Sequence, residues 1–229
     1  MKSIKADPET GTISYADVHA AYKVADKLPK GSKTLDLNWR FRGPDNVGGR
    51  TRGIAIDIND TAHIVVGGVS GGIWESFDAG QSWEAYDPDF KIQNVSTIAQ
   101  SSDGTFFVGT GSVFDGSNDD KGNGSHFVGN GLFRLTGNGQ ADTIVSPSNT
   151  NTFGTAWTVI NKVVVDPNDP KRLLVATNDN LTEIKLDENG DGNHAIRTLV
   201  AFRCYDVEIS KDEKISAAFR GGNGNGRIE

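Results

Sequence analysis

Four arginines, Arg40, Arg42, Arg50 and Arg52, fall within thirteen residues of one another. A guanidinium presents a planar fork of N–H donors that grips a carboxylate through two parallel bonds, so this cluster suits an anion or an acidic sugar. Gly48-Gly49 lies inside the same stretch, and arginines flanking a tight turn have a structural use as well, tying down backbone carbonyls. Paired carboxylates are the other chemistry to seek, because cleaving a glycosidic bond needs two of them about 5–10 Å apart. Asp57, Asp78, Asp166 and Asp187 are the candidates. Asp57 and Asp166 stand just before turn residues, where an aspartate bonds to nearby backbone N–H groups. None has the context of an acid or a nucleophile, and no catalytic residue is assigned.

Two loops have ligand-like composition. Asp187-Glu188-Asn189-Gly190-Asp191-Gly192 opens like a calcium loop, with Asp187, Asn189 and Asp191 as hard oxygen ligands. Thr198 stands where the twelfth, acidic ligand is expected, so a plain polar hairpin is the competing reading. The second loop, an insertion over 112–128, carries Asp115, Asn118, Asp119 and Asp120 among glycines. Long insertions on a rigid scaffold carry binding, and a solvated loop is the alternative. His19, His63, His126 and His194 are scattered without a zinc spacing, and neither a phosphate-binding loop nor a serine nucleophile elbow is present.

The elements that must position these residues recur. Ile54-Ala55-Ile56-Asp57, Ile98-Ala99-Gln100-Ser101, Val163-Val164-Val165-Asp166 and Val207-Glu208-Ile209-Ser210 start 44, 65 and 44 residues apart. A polar turn, a second short apolar run and a third follow each of them. Short strands separated by Gly, Asn and Asp at a period of roughly 45 residues read as four-stranded antiparallel blades of a β-propeller. Residues 76–83, Ser-Phe-Asp-Ala-Gly-Gln-Ser-Trp, fit the Asp-box pattern that joins the third and fourth strands of a blade. In it Asp78 folds its carboxylate onto backbone N–H groups, Gly80 supplies a positive φ, and Ser76 and Trp83 frame the turn. Leu135-Thr136-Gly137-Asn138-Gly139-Gln140-Ala141-Asp142 is a degenerate copy. The expected fold is therefore all-β: about three and a half blades over 39–90, 91–150, 151–203 and 204–229, completed by further blades of a longer chain or by another subunit. The leader 1–38 is expected to carry one helix over about 14–28, opened by the capping box Ser14-Tyr15-Ala16-Asp17.

Composition excludes several classes. A net charge of −7 and a pI near 5.1 speak against nucleic acid. No apolar window reaches the roughly 18 residues of a membrane span, and Met1-Lys2-Ser3-Ile4-Lys5 opens no signal peptide. The single cysteine, Cys204, excludes an internal disulfide framework and reads as a small buried residue near a strand start.

Trp39 to Arg52, then Gly67-Gly68-Val69-Ser70-Gly71-Gly72-Ile73-Trp74-Glu75-Ser76, Val108-Gly109-Thr110-Gly111 and Gly129-Asn130-Gly131-Leu132-Phe133, resemble the opening of sortilin-like, Asp-box propeller proteins over about residues 39–229. Such proteins are common among secreted and surface proteins of Bacteroidota, many exported by the type IX secretion system. The resemblance implies an extracellular or cell-surface location and non-catalytic recognition of a protein or glycan partner through the loop face. Asp-box propellers also include sialidases and xyloglucan-type endoglucanases, so a glycoside hydrolase whose catalytic residues lie partly on absent blades is the alternative. A structural module of a large adhesin or secretion-linked assembly is another. A sialidase carries Arg-Ile-Pro where this chain has Arg42-Gly43-Pro44.

Overall fold

The computed structural model describes residues 49–86, 93–112, 128–137, 139–147, 156–187, 193–220 and 227–228, together with Ala20, Ala21, Lys23, Val24 and Lys27, which are helical. The rest of the expected helix lies outside the described residues. Four antiparallel sheets succeed one another along the chain. The first contains β1 (Thr51–Ile56), β2 (Ile64–Gly68), β3 (Gly72–Ser76) and β4 (Glu84–Ala85). The second contains β5 (Val95–Gln100), β6 (Phe106–Thr110), β7 (Leu132–Thr136) and β8 (Gln140–Val145). The third contains β9 (Ile160–Val165), β10 (Arg172–Thr177), β11 (Leu181–Lys185) and β12 (Ala195–Val200). The fourth contains β13 (Cys204–Ile209), β14 (Ile215–Phe219) and β15 (Arg227–Ile228). Strands pair in chain order within every sheet, the meander of a propeller blade.

Ile54, Ile98, Val163 and Val207 are each the fourth residue of a first strand and pair with Val66, Val108, Val175 and Ala217 of the second. The four positions are thus equivalent, as the repeat requires. Ile98, Val163 and Val207 are 9%, 1% and 1% exposed, each packed toward the preceding sheet, whereas Ile54 is 63% exposed.

The hydrophobic core is the stack of sheet faces. One cluster joins Val65 and Ile73 to Ile98 and Phe106, a second joins Phe107 and Leu132 to Val163 and Leu173, and a third joins Leu174 and Ala176 to Val207 and Phe219. Every residue of β6 is buried, because Phe106 and Val108 pack one way and Phe107 the other. In β2 burial alternates, the pattern of a strand with a single covered face.

Close stacking depends on volume matching. A Cβ on Gly67 would lie 2.2 Å from Val95 Cγ1, and one on Gly109 would lie 2.6 Å from Ile160 Cγ2. At the corresponding positions of the third and fourth sheets stand Ala176 in place of the glycine and the smaller Cys204, both buried in one cluster. Burial pushes the Cys204 thiol up to about 12, so it serves as a small apolar filler.

Turn chemistry closes the hairpins. Asp57 Oδ1 accepts from Asn59 N at 2.8 Å and Asp60 Oδ1 from Ala62 N at 3.0 Å; Asp166 and Asp169 repeat both bonds with Asn168 N and Lys171 N at 2.8 and 3.0 Å. In the octet 76–83, Asp78 Oδ1 accepts from Ser82 N and from Ser76 Oγ, both at 2.8 Å, and Oδ2 accepts from Ser82 Oγ at 2.6 Å. Ser76 Oγ in turn accepts from Gly80 N at 2.8 Å. The Ser82 hydroxyl foremost, then the Ser82 N–H and the Ser76 hydroxyl, lower the Asp78 carboxyl to about 2. Ala79 and Gly80 both have positive φ, 58° and 89°, and Trp83 closes the turn by donating from Nε1 to Gly80 O at 3.1 Å.

Candidate functional site

Every first strand carries a β-bulge at its second residue. The partner strand skips Arg52, Ser96, Asn161 and Tyr205 in turn. A bulge re-aims a side chain. All four residues line one cavity of about 410 Å³, together with Gly53, Ile54, Thr97, Ile98, Lys162 and Asp206. That volume falls within the range of small-molecule sites, about 300–1,000 Å³.

The wall of this cavity is polar. Asn161 Nδ2 donates to Cys204 O at 2.7 Å, which fixes the orientation of the amide. Its Oδ1, and Ser96 Oγ, are buried with no hydrogen-bond partner among the described residues. Lys162 Nζ lies 3.1 Å from Glu208 Oε1, and Asp206 Oδ1 accepts from Val207 N at 3.0 Å.

The foot of the second sheet's insertion reaches the same strand ends. Arg52 Nη1 donates to Ser112 Oγ at 3.0 Å. Asn94 Nδ2 donates to Val128 O at 2.6 Å, and Asn94 O accepts from Gly111 N at 2.9 Å. Thr110 Oγ1 donates to Gly131 O at 2.7 Å and accepts from Asn130 N at 2.9 Å. One foot of the insertion is thereby bound to β1 and the other to the residue that precedes β5. A side chain at Gly129 could not fit, because its Cβ would lie 2.5 Å from Gly111 N.

Of the sequence candidates, Arg52 lies in this cavity wall, and Arg50 precedes β1, its carbonyl accepting from Val69 N at 2.9 Å. Arg40, Arg42, Asp115, Asn118, Asp119, Asp120, Asn189 and Asp191 lie outside the described residues. Asp187 N approaches His194 Nδ1 at 3.2 Å, and the Asp187 carboxylate lies 3.9 Å from the same nitrogen. Among the described residues no group of three or more His, Cys, Asp or Glu is placed to hold a metal ion.

The candidate carboxylates Asp57 and Asp166 belong to an arrangement that sequence reasoning missed. His63 bridges Asp57 Oδ2 at 3.0 Å and Glu75 Oε2 at 3.2 Å. Arg172 bridges Asp166 Oδ2 and Glu183 Oε1, both at 2.7 Å, and Arg197 adds a contact to Glu183 Oε2 at 2.9 Å. The two trios occupy the same register, since Ile64 faces Ile56 as Leu173 faces Val165. One carboxylate–cation–carboxylate clasp therefore recurs in two blades, with His in one and Arg in the other, and it braces the hairpins. Burial raises the Asp166 and Glu183 carboxyls, but the Asn168 N–H and Arg172 for the first, and Arg172 and Arg197 for the second, outweigh it and hold both below the usual range. The Asn59 N–H chiefly lowers Asp57. Lining up the first and third repeats, where the Asp-to-cation spacing of six residues is the same, would have found the clasp. A second cavity, of about 560 Å³, opens beside His63, Phe77 and Tyr86.

Solved β-propellers share this fold. The chain superimposes over 82% of its length on the extracellular domain of a protein assigned as a hybrid two-component system of B. thetaiotaomicron, with a TM-score of 0.56 and 14% identity, and spans 22% of that chain. It matches a GH74 xyloglucanase from Xanthomonas campestris over 72% of its length, with a TM-score of 0.53 and 18% identity, and spans 26% of that chain. It matches a protein assigned as a gluconolactonase over 78%, with a TM-score of 0.52 and 14% identity, and spans 62% of that chain. At these identities the likeness is one of fold. No family model matches the chain, and no curated protein matches its sequence.

Proposed function

We propose that this chain is the blade-forming part of an extracellular or cell-surface propeller of the Asp-box, sortilin-like kind, exported by the type IX route, and that it recognises a protein or glycan partner without transforming it. The observation that carries the reading is the anchoring of the 112–128 insertion. Arg52 holds one foot through Ser112 and Asn94 holds the other through Val128, so both ends of the insertion are braced beside the inner strand ends. A binding loop on a rigid scaffold needs such a base. The Asp-box bonds of Ser76, Asp78, Gly80 and Trp83 support the family reading, and the extracellular domain among the structural neighbours accords with the location. Asp57, Asp78 and Asp166 are engaged in turns and clasps, which favours recognition over glycoside hydrolysis.

The test is a printed array of neutral and acidic oligosaccharides and mucin-type glycoproteins, probed with the labelled 229-residue chain. Binding to a subset is expected, lost on deletion of 114–124 at an unchanged melting temperature, with no new reducing ends. Undiminished binding by the deletion, or release of reducing ends, would overturn the proposal.

A further inference from the structure

We infer that an aromatic groove between the first two sheets docks an arginine-bearing segment of a protein partner. This goes beyond the recognition reading, because the groove lies at the opposite end of β6 from the insertion. Phe106, the first residue of β6, lines it, whereas Thr110, the last, leads toward 112–128. The groove is two adjoining hollows, the cavity of about 560 Å³ beside His63 and one of about 350 Å³, which share Glu75 and Phe77 as lining. Strand pairing sets Glu75 between Val65 and Glu84 on the face turned toward the second sheet. The Tyr86 hydroxyl reaches the Thr136 and Gln140 carbonyls and ties the groove to that sheet. The starting point is exposed aromatic surface. Phe77 is 57% exposed and Trp83 41%. His63 stacks on Phe77 at 4.6 Å with 8° between the planes, and the rest of the Phe77 ring is open. Trp83 spends its Nε1 N–H on Gly80 O, so it offers a ligand ring surface rather than a donor. Large aromatic side chains left exposed together in a hollow mark a contact surface.

Charge selects the occupant. Asp57, Glu75, Asp78, Glu84 and Asp103 line the two hollows, and among the described lining residues there is neither lysine nor arginine. His63 is the one basic residue of that lining, and its two ring nitrogens already face Asp57 and Glu75. Asp57 and Asp78 accept bonds from their own turns and contribute charge; Glu84 and Asp103 are exposed and within a ligand's reach. Such a groove repels carboxylates and phosphates and attracts cations. Its aromatic wall chooses among them. A guanidinium is planar and weakly hydrated, so it can lie flat on a ring while its edge donates to a carboxylate. A lysine ammonium is a compact, strongly hydrated charge that gains less from the ring. A bare metal ion would leave Phe77 and Trp83 unused, and no three acids or histidines of the described residues are placed to hold one.

The experiment is fluorescence anisotropy on the full chain at low salt, with fluorescein-labelled peptides that alternate glycine with arginine, with lysine or with glutamate. The arginine peptide is expected to bind, the lysine peptide to bind several-fold more weakly, and the glutamate peptide not to bind. Phe77→Ala and Glu84→Gln should each weaken the arginine peptide about two- to fivefold, the worth of an exposed ring or charge contact. Asp212→Asn removes the same charge from an exposed turn of the fourth sheet and should change nothing. Should Phe77→Ala fail to fold, Glu84→Gln at its exposed position decides. No binding of the arginine peptide, equal affinity for the lysine peptide, or a loss in Asp212→Asn as large as in Glu84→Gln would overturn the inference. Deleting 114–124 should leave the arginine peptide bound, and loss of binding there would also overturn it. The array test and this one therefore fail separately.

Discussion

Arg52 Nη1 donates to Ser112 Oγ at 3.0 Å, joining the first strand of one sheet to the foot of the next sheet's insertion across 60 positions of chain. Ser112 is almost wholly buried. A hydrogen bond to a charged group contributes about 1.5–3 kcal/mol, so Ser112→Ala should lose stability of that order. Urea unfolding reads it as a lower midpoint at constant slope, and a midpoint equal to the wild type's would show that the contact holds nothing.

The glycine-to-bulky contacts predict a rescue. Gly67→Ala drives a methyl into Val95 and should cost about 1–3 kcal/mol, the range for overpacking. Adding Val95→Cys reproduces the Ala176 and Cys204 combination of the third and fourth sheets and should restore most of the loss. Additive effects in the double variant, measured by thermal melts, would contradict volume matching.

Acid should loosen the chain in a definite window. Asp78 titrates at about 2 rather than 3.8, and Asp166 and Glu183 also lie below their ordinary values. A carboxyl with a depressed folded-state pKa gives stability that is complete above its unfolded value and lost as the pH falls through the folded one, here between about pH 4 and about pH 2. Asp78→Asn removes one such group. The melting-temperature gap between wild type and variant should therefore narrow from about pH 5 to about pH 2.5. A gap of constant width would rule out this role for Asp78.

The two clasps should differ in what they hold. Arg172→Met leaves buried Asp166 without its cation and buried Glu183 with Arg197 alone, and should cost about 3–5 kcal/mol. His63→Gln touches carboxylates that are partly exposed and should cost less. Arg172→His, which copies the first blade, should fall between. Equal losses for Arg172→Met and His63→Gln in urea titrations would refute this ordering.

Legibility in the sequence followed chain distance. Asp78, Gly80 and Ser82 act within a few residues, so the octet announces its own turn, and the spacing of Ile54, Ile98, Val163 and Val207 announces the repeat. Ser96 and Asn161 look like ordinary strand polar residues, and only the bulge register brings them to one wall. Glu183 lies 11 residues from Arg172 on the adjacent strand, a pairing that the register of β10 and β11 creates. Gly67 and Gly109 carry no local sign of a close approach, because Val95 and Ile160, the side chains nearest to an added methyl, belong to the following repeat. Ala79 has a positive φ with no glycine to signal it.

The graded fit between neighbouring sheets has a bearing on how such a gene can be rearranged. Gly67 meets Val95, Gly109 meets Ile160, and Ala176 shares a cluster with Cys204 at the corresponding positions, so each module is tailored to the one it follows. Shuffling the third module to follow the first would set Ile160 against Gly67, a tolerable exchange. Shuffling the fourth to follow the second would set the small Cys204 against Gly109 and leave a hole. Recombination among these repeats is thus filtered by side-chain volume at each junction, and their order cannot drift freely even though their backbones are alike.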